Sequence, residues 1–236
     1  MIFAIRVDDY GFTATETAHP PRKTRDVGLA CARRFHAAMG GLPYLAGIIA
    51  AEVDADGGAW LASKPEGLTT AIHGFHHSYN ETPGVSEFAG KTIAQTRDII
   101  EHCRRIIGPT PHLIAPFNKT PRSLLDACGF EKVPWVWAEP SSWPTPPSPH
   151  YEENGVWYIP AWARLYGAAG WAQGASTRAL VDEARALRGV EGVAVLTLHL
   201  PWELARDPEF DAVKRLADAV ADSVVSPDEF VSRIGR

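Results

Sequence analysis

Apolar residues along this chain fall into two alternating patterns, short continuous runs and longer stretches recurring about every 3.6 residues. Residues 2–7 form the first run and end in Asp8-Asp9-Tyr10-Gly11, an acidic pair followed by a turn residue. Residues 12–21 read as loop, rich in Thr and closed by two prolines. Val27, Ala30, Cys31 and Phe35 put 22–39 on a helix that Gly40-Gly41 stops. The run 42–50, which contains Pro43, is a second strand, 54–64 a short helix, and 68–72 a third strand.

The clearest helix is 92–107, where Ile93, Thr96, Ile99, Ile100, Cys103 and Ile107 form a stripe ended by Gly108-Pro109. Residues 112–115 make strand four, and 120–128 a helix with Pro121 in its first turn and Gly129 as its C-cap. Residues 133–137 make strand five. Prolines at 140, 144, 146, 147 and 149 keep 139–153 out of any sheet interior. A short strand at 157–160, a helix at 177–187 and a strongly β-type strand at 193–198 follow. The chain closes with a helix at 210–224 and a short one capped by Ser226-Pro227-Asp228-Glu229. Such alternation implies an α/β fold with a mostly parallel sheet or barrel. No repeat and no boundary divides the chain, so 1–236 is expected to be one domain.

Composition narrows the function classes. The 236 residues are 45% hydrophobic and 22% charged, with a formal net charge of −5. Neither a global excess nor a block of Lys/Arg offers a surface to nucleic acid or an anionic membrane. No apolar run reaches membrane-spanning length. Cys31, Cys103 and Cys128 are widely spaced and read as buried thiols. The N-terminal run is too short for a signal peptide, which makes a cytoplasmic location the expectation.

The chemistry gathers at strand ends. His73-Gly74-Phe75-His76-His77 follows the third strand, and His73 and His77, at i and i+4, have a spacing that suits one metal ion. Asp8 and Asp9 end strand one, Asn118 and Lys119 follow strand four, and His199 ends the late strand. In parallel α/β folds active residues collect at the C-terminal ends of strands. Four unrelated structural clusters would not be expected to choose the same end.

Together, Asp8-Asp9, His73-x-x-x-His77, Ala115-Pro116-Phe117 and Leu198-His199 resemble the ordered motifs of the polysaccharide deacetylases, the NodB-homology family or carbohydrate esterase family four. The resemblance runs from residue 1 to about 200. It implies a distorted, incomplete (β/α) barrel of the seven-stranded NodB-like type, and hydrolysis of an N- or O-acetyl group from a sugar or glycan precursor. It also implies a divalent metal on Asp9, His73 and His77, zinc first, with cobalt, nickel or manganese as alternatives. Asp8 then matches the base that deprotonates the metal-bound water, and His199 the acid that protonates the leaving group. A backbone N–H near Phe117 would share the oxyanion, and Asn118, Lys119 and Trp202 would border the substrate. The first motif also resembles that of the YdjC-like oligosaccharide deacetylases.

The pattern departs from the family at Ile114, where an Arg usually orients the base. Lys119, Arg122 or Arg6 could replace that charge, with Lys119 the nearest in sequence. His76 is an alternative ligand to His77. Trp135, Trp137, Trp143 and Trp157 are candidates either for a sugar-binding wall or for the core. Glu203 is a candidate to hold His199 in one tautomer. His19, His36, His102, His112 and His150 read as structural or exposed. Two further functions stay open beside the deacetylase: a carbohydrate-binding pseudoenzyme of the same fold, and a hydrolase of another small amide. A plain α/β scaffold with structural histidines would show neither metal nor activity.

Overall fold

The first apolar run becomes β1 (Ile2–Tyr10), buried along nearly its whole length, as a strand covered on both faces must be. The structure is a computed structural model that describes residues 2–12, 28–77, 85–138, 150–151, 155–160, 181–182, 185 and 193–234. The other strands are β2 (Tyr44–Ile48), β3 (Leu68–Ile72), β4 (His112–Ile114), β5 (Trp135–Ala138), β6 (His150–Tyr151), β7 (Trp157–Pro160) and β8 (Val193–His199). They form one sheet in the order β6-β7-β5-β4-β3-β2-β1-β8. Seven of them run parallel and curl into a half-barrel, and the short edge strand β6 pairs antiparallel with β7. The helices are α1 (Leu29–Ala38), α2 (Ala55–Ala62), α3 (Ile93–Ile107), α4 (Arg122–Phe130), α5 (Leu200–Arg206), α6 (Asp211–Val220) and α7 (Pro227–Ile234).

Strand alternation sorts the apolar side chains into two sets. Phe3, Ile5 and Val7 of β1 join Phe35, Ile100, Leu124 and Leu216 in the layer between sheet and helices. Ala4, Leu45, Ala71, Ile114, Trp137, Ile159 and Val195 face the other way and fill the barrel interior, where Phe230 and Val231 of α7 close the bottom. Trp137 stacks against Phe230 at 5.7 Å and donates its indole N–H to His112 Nδ1 at 3.3 Å. His112 Nε2 therefore carries the proton and donates it to Asp228 at 3.0 Å. Trp137 is thus core. Trp135 and Trp157, the first residues of their strands, stack on each other at the same lower end. None of these three walls the upper rim, and Trp143 lies outside the described residues.

Several boundaries move for identifiable reasons. Thr92 forms a capping box with Gln95, so α3 begins at Ile93, which is exposed rather than part of the stripe. Helix α4 runs through Gly129. The turn out of it is taken by Lys132, at φ 53°, while Val133 N–H reaches back to Cys128 O and Lys132 N–H to Gly129 O. That is a Schellman exit with lysine where glycine is usual. The 210–224 helix is α6 followed by a 3-10 turn at Ala221–Ser223. Helix α5 was not expected, although Pro201 is compatible with its first turn. Strand β6 lies within the proline-rich stretch expected to be loop, at the sheet edge where such a strand is tolerated. Of the helix expected at 177–187, only 181–182 and 185 are described, and they are helical. No helix among the described residues is long and apolar enough to cross a membrane.

Cys31, Cys103 and Cys128 are all buried, and burial pushes each thiol pKa up. The native protein should therefore leave all three unreactive toward a water-soluble disulfide reagent and release three equivalents once unfolded. Prompt reaction of the native protein would contradict this packing.

Candidate metal and acid–base site

Strict alternation would send Asp8 and Asp9 to opposite faces of β1. The register with β2 shifts between Val7 and Tyr10, and Asp9 takes φ 56°, a left-handed conformation. This irregularity lets both carboxylates serve the barrel mouth. Asp8 follows Ala4 and Arg6 into the interior beside His199, its register partner on β8. Asp9 instead meets the histidines that follow β3.

His73 leaves the strand with its N–H bonded to Ile48 O. Its Nδ1 lies 2.9 Å from Ile114 O. A carbonyl only accepts, so Nδ1 holds the proton and the Nε2 lone pair is left for a ligand role. That Nε2 is 3.4 Å from Asp9 Oδ1, and His77 Nε2 is 3.3 Å from the same oxygen. The three buried residues offer donor atoms that all lie within 4.8 Å of one another. Donors roughly 2.0–2.1 Å from a tetrahedral ion are about 3.3–3.5 Å apart, so one carboxylate oxygen and two imidazole nitrogens here fit a divalent cation. His76 is exposed and packs edge-on against Phe75. The pair of histidines that converges on Asp9 is therefore His73/His77.

Asp8 is held from below. Arg6, fully buried in the barrel, donates Nε to Asp8 Oδ1 and Nη2 to Oδ2, both at 2.6 Å, and Nη2 also to Asn118 Oδ1 at 2.9 Å. Thus the cation on Asp8 comes from β1. Lys119, the nearest candidate in sequence, is exposed, and Arg122 pairs with Asp126. Ile114 sits in the interior apolar set. Burial raises the Asp8 carboxyl pKa, but Arg6, His199 and His73 outweigh that and hold it below the usual carboxylate value. His199 Nε2 lies 3.7 Å from Asp8 Oδ2. Burial drives its pKa below the usual imidazole value against the pull of Asp8 and Asp9.

The third side of the mouth is the turn after β4. Phe117 and Asn118 both take left-handed conformations, at φ 54° and 56°, and the Phe117 ring lies 4.4 Å from the His77 ring. Asp9, His77, Phe117 and Asn118 are four of the seven non-glycine residues with positive φ among the described residues. Such strain concentrates where side chains must be aimed at a function. Glu203 is buried, while the side chain of Trp202 lies outside the described residues, as does His19. His36 meets the Tyr44 hydroxyl at 3.1 Å, and His102 stacks on Phe75.

Sequence reasoning passed over Glu87. Its buried carboxylate accepts the N–H groups of Phe75 at 2.5 Å and His76 at 3.0 Å, beneath the histidine turn. A lone acid ten residues beyond His77 carries no motif that could have marked it.

The curled seven-stranded parallel sheet, with its polar cluster at the strand C-termini, defines a fold of the polysaccharide deacetylase class. No protein-family model matches the chain, and no curated protein is recognisably similar to it in sequence. Among solved structures it is similar to a polysaccharide deacetylase from Mycobacterium smegmatis, with 14% identity, a TM-score of 0.70, and 99% of this chain and 89% of that chain covered. It is similar also to a family 4 acetyl xylan esterase from Clostridium thermocellum in complex with cobalt, with 13% identity, a TM-score of 0.59, and 100% and 92% covered. An allantoinase aligns with 14% identity and a TM-score of 0.63 over 98% of this chain and 88% of that chain.

Proposed function

We propose that this protein is a metal-dependent hydrolase that removes an acetyl group, N- or O-linked, from a sugar or glycan precursor. One observation carries the reading: beside the Asp9–His73–His77 donor set stands a second carboxylate, Asp8, separately clamped by Arg6 and facing His199. A site that only stored a cation would have no use for that second pair.

In this reading Asp9, His73 and His77 hold the ion, zinc or one of cobalt, nickel and manganese. A divalent cation there supplies a Lewis acid for the acyl carbonyl and a bound water of lowered pKa. Asp8, kept ionised by Arg6, accepts the proton of the attacking water. His199, on the other side of Asp8, delivers a proton to the departing amine or alcohol. The Phe117 N–H, presented by its left-handed turn, meets the developing oxyanion. The Phe117 ring and Asn118 border the acyl group, and Lys119 lies further out toward the sugar. The names of the polysaccharide deacetylase and the acetyl xylan esterase support this substrate class. A second reading, hydrolysis of a small non-sugar amide at the same site, is favoured by the similarity to an allantoinase.

The test is metal content beside product release. Wild type should carry about one equivalent of metal, His73→Ala little, and the loaded wild type should release acetate from a panel of N- and O-acetylated sugars. Failure to take up zinc, cobalt or nickel would remove the mechanism. Metal binding without turnover on sugars or small amides would leave the pseudoenzyme.

A further inference from the structure

The turn that carries both histidine ligands has little to hold it in its own sequence. Gly74 takes φ 85° and His77 φ 68°, and a β-branch or bulky residue tolerates neither. Backbone bonds tie its first half to the 3-10 turn Ala50–Glu52 that follows β2: Ala50 N–H to Gly74 O and Ala51 N–H to Phe75 O. Among the described residues, Glu87 anchors the backbone of the second half. Glu87 spreads its carboxylate over the consecutive N–H groups of Phe75 and His76, and its own N–H bonds the His77 carbonyl at 3.3 Å. Consecutive N–H groups converging on one carboxylate form an anion-holding nest, and charge-assisted bonds of this kind are among the stronger ones. A Cβ on Gly74 would overlap Glu87 Oε1, so the carboxylate sits in space that only glycine leaves open. Glu87 is buried and belongs to neither the ligand set nor the acid–base pair.

We infer that Glu87 is a positioning residue for the His73/His77 pair, fixing the turn before any metal arrives so that His77 needs no ordering on binding. This rests on the reading of Asp9, His73 and His77 as a metal site. The probe is Co²⁺ added to full-length, metal-stripped protein. Glu87→Gln keeps the side-chain volume but offers one acceptor oxygen where the carboxylate offers two. It should weaken Co²⁺ affinity about 10–100-fold, measured by chelator competition at a temperature where the stripped variant is fully folded. A merely structural glutamate would lower the melting temperature in chelator and leave the Co²⁺ affinity unchanged, and that result overturns the inference. Amide hydrogen exchange on stripped wild type decides the point without any variant. Phe75 and His76 should already be protected, whereas protection appearing only after Co²⁺ is added would show that the ion orders the turn. Wild type that folds yet takes up no Co²⁺ overturns the metal reading and this inference together, while a Glu87→Gln variant that binds like wild type overturns this inference alone.

Discussion

Arg6→Met is expected to destabilise the protein by roughly 3–5 kcal/mol, the usual cost of stripping a buried carboxylate of the counter-charge that grips it. The methionine fills similar volume, so the loss reports the charge rather than a cavity. Asp8 is buried with both oxygens committed to the guanidinium, so little solvent is at hand to replace that group. Arg6→Lys keeps the charge but gives up the two-pronged geometry, and should fall between the two. Neutralising both partners, Arg6→Met with Asp8→Asn, should recover most of the loss, because no uncompensated charge is then left inside. Urea unfolding with chelator present measures wild type, the two Arg6 variants, Asp8→Asn and the double variant on one scale. A cost below about 1 kcal/mol for Arg6→Met, or losses that simply add in the double variant, would mean that the pair is not coupled as its geometry requires.

The same pair marks where the sequence stops being informative. Strands β3 and β7 are plain in their apolar runs, and the convergence of Asp8, His73 and His199 follows from asking which strand ends carry polar residues. Arg6 is different. Two positions before Asp8 on the same strand, it is one of three candidate cations with Lys119 and Arg122, and only the curl of the sheet turns that face into a buried interior where the guanidinium grips Asp8 and Asn118. Sequence distance favoured Lys119, but the turn after β4 carries that side chain out to solvent. Local chemistry likewise pointed to Gly129 as a helix cap, while the exit is set three residues later by how α4 meets β5. Trp137 was ambiguous for the same reason, since whether an indole in a strand lines a site or a core depends on the end of the barrel it occupies. The alternation of β1 hides the last point. Nothing local announces that Asp9 will break it, and that break turns the two neighbouring carboxylates to different partners, Asp8 to Arg6 and Asp9 to the histidines, and so to different roles in the proposed mechanism.

Those roles make the sharpest prediction. Asp8→Asn should retain about one equivalent of metal, because in the proposed site the donor atoms come from Asp9, His73 and His77. Turnover should fall by about 10²–10⁴-fold, the range expected when a positioned proton acceptor is lost. Asparagine keeps the shape and one acceptor oxygen for Arg6, but it cannot take a proton and it leaves the guanidinium without its counter-ion. The variant should therefore also be less stable, so its activity has to be read well below its own unfolding midpoint. Asp9→Asn provides the contrast: it removes a ligand oxygen and should lower metal content and turnover together. Metal lost from Asp8→Asn would place Asp8 in the ligand set rather than beside it. Full turnover in Asp8→Asn with metal bound would transfer the proton-accepting role to His199, its titratable register partner on the adjacent strand β8.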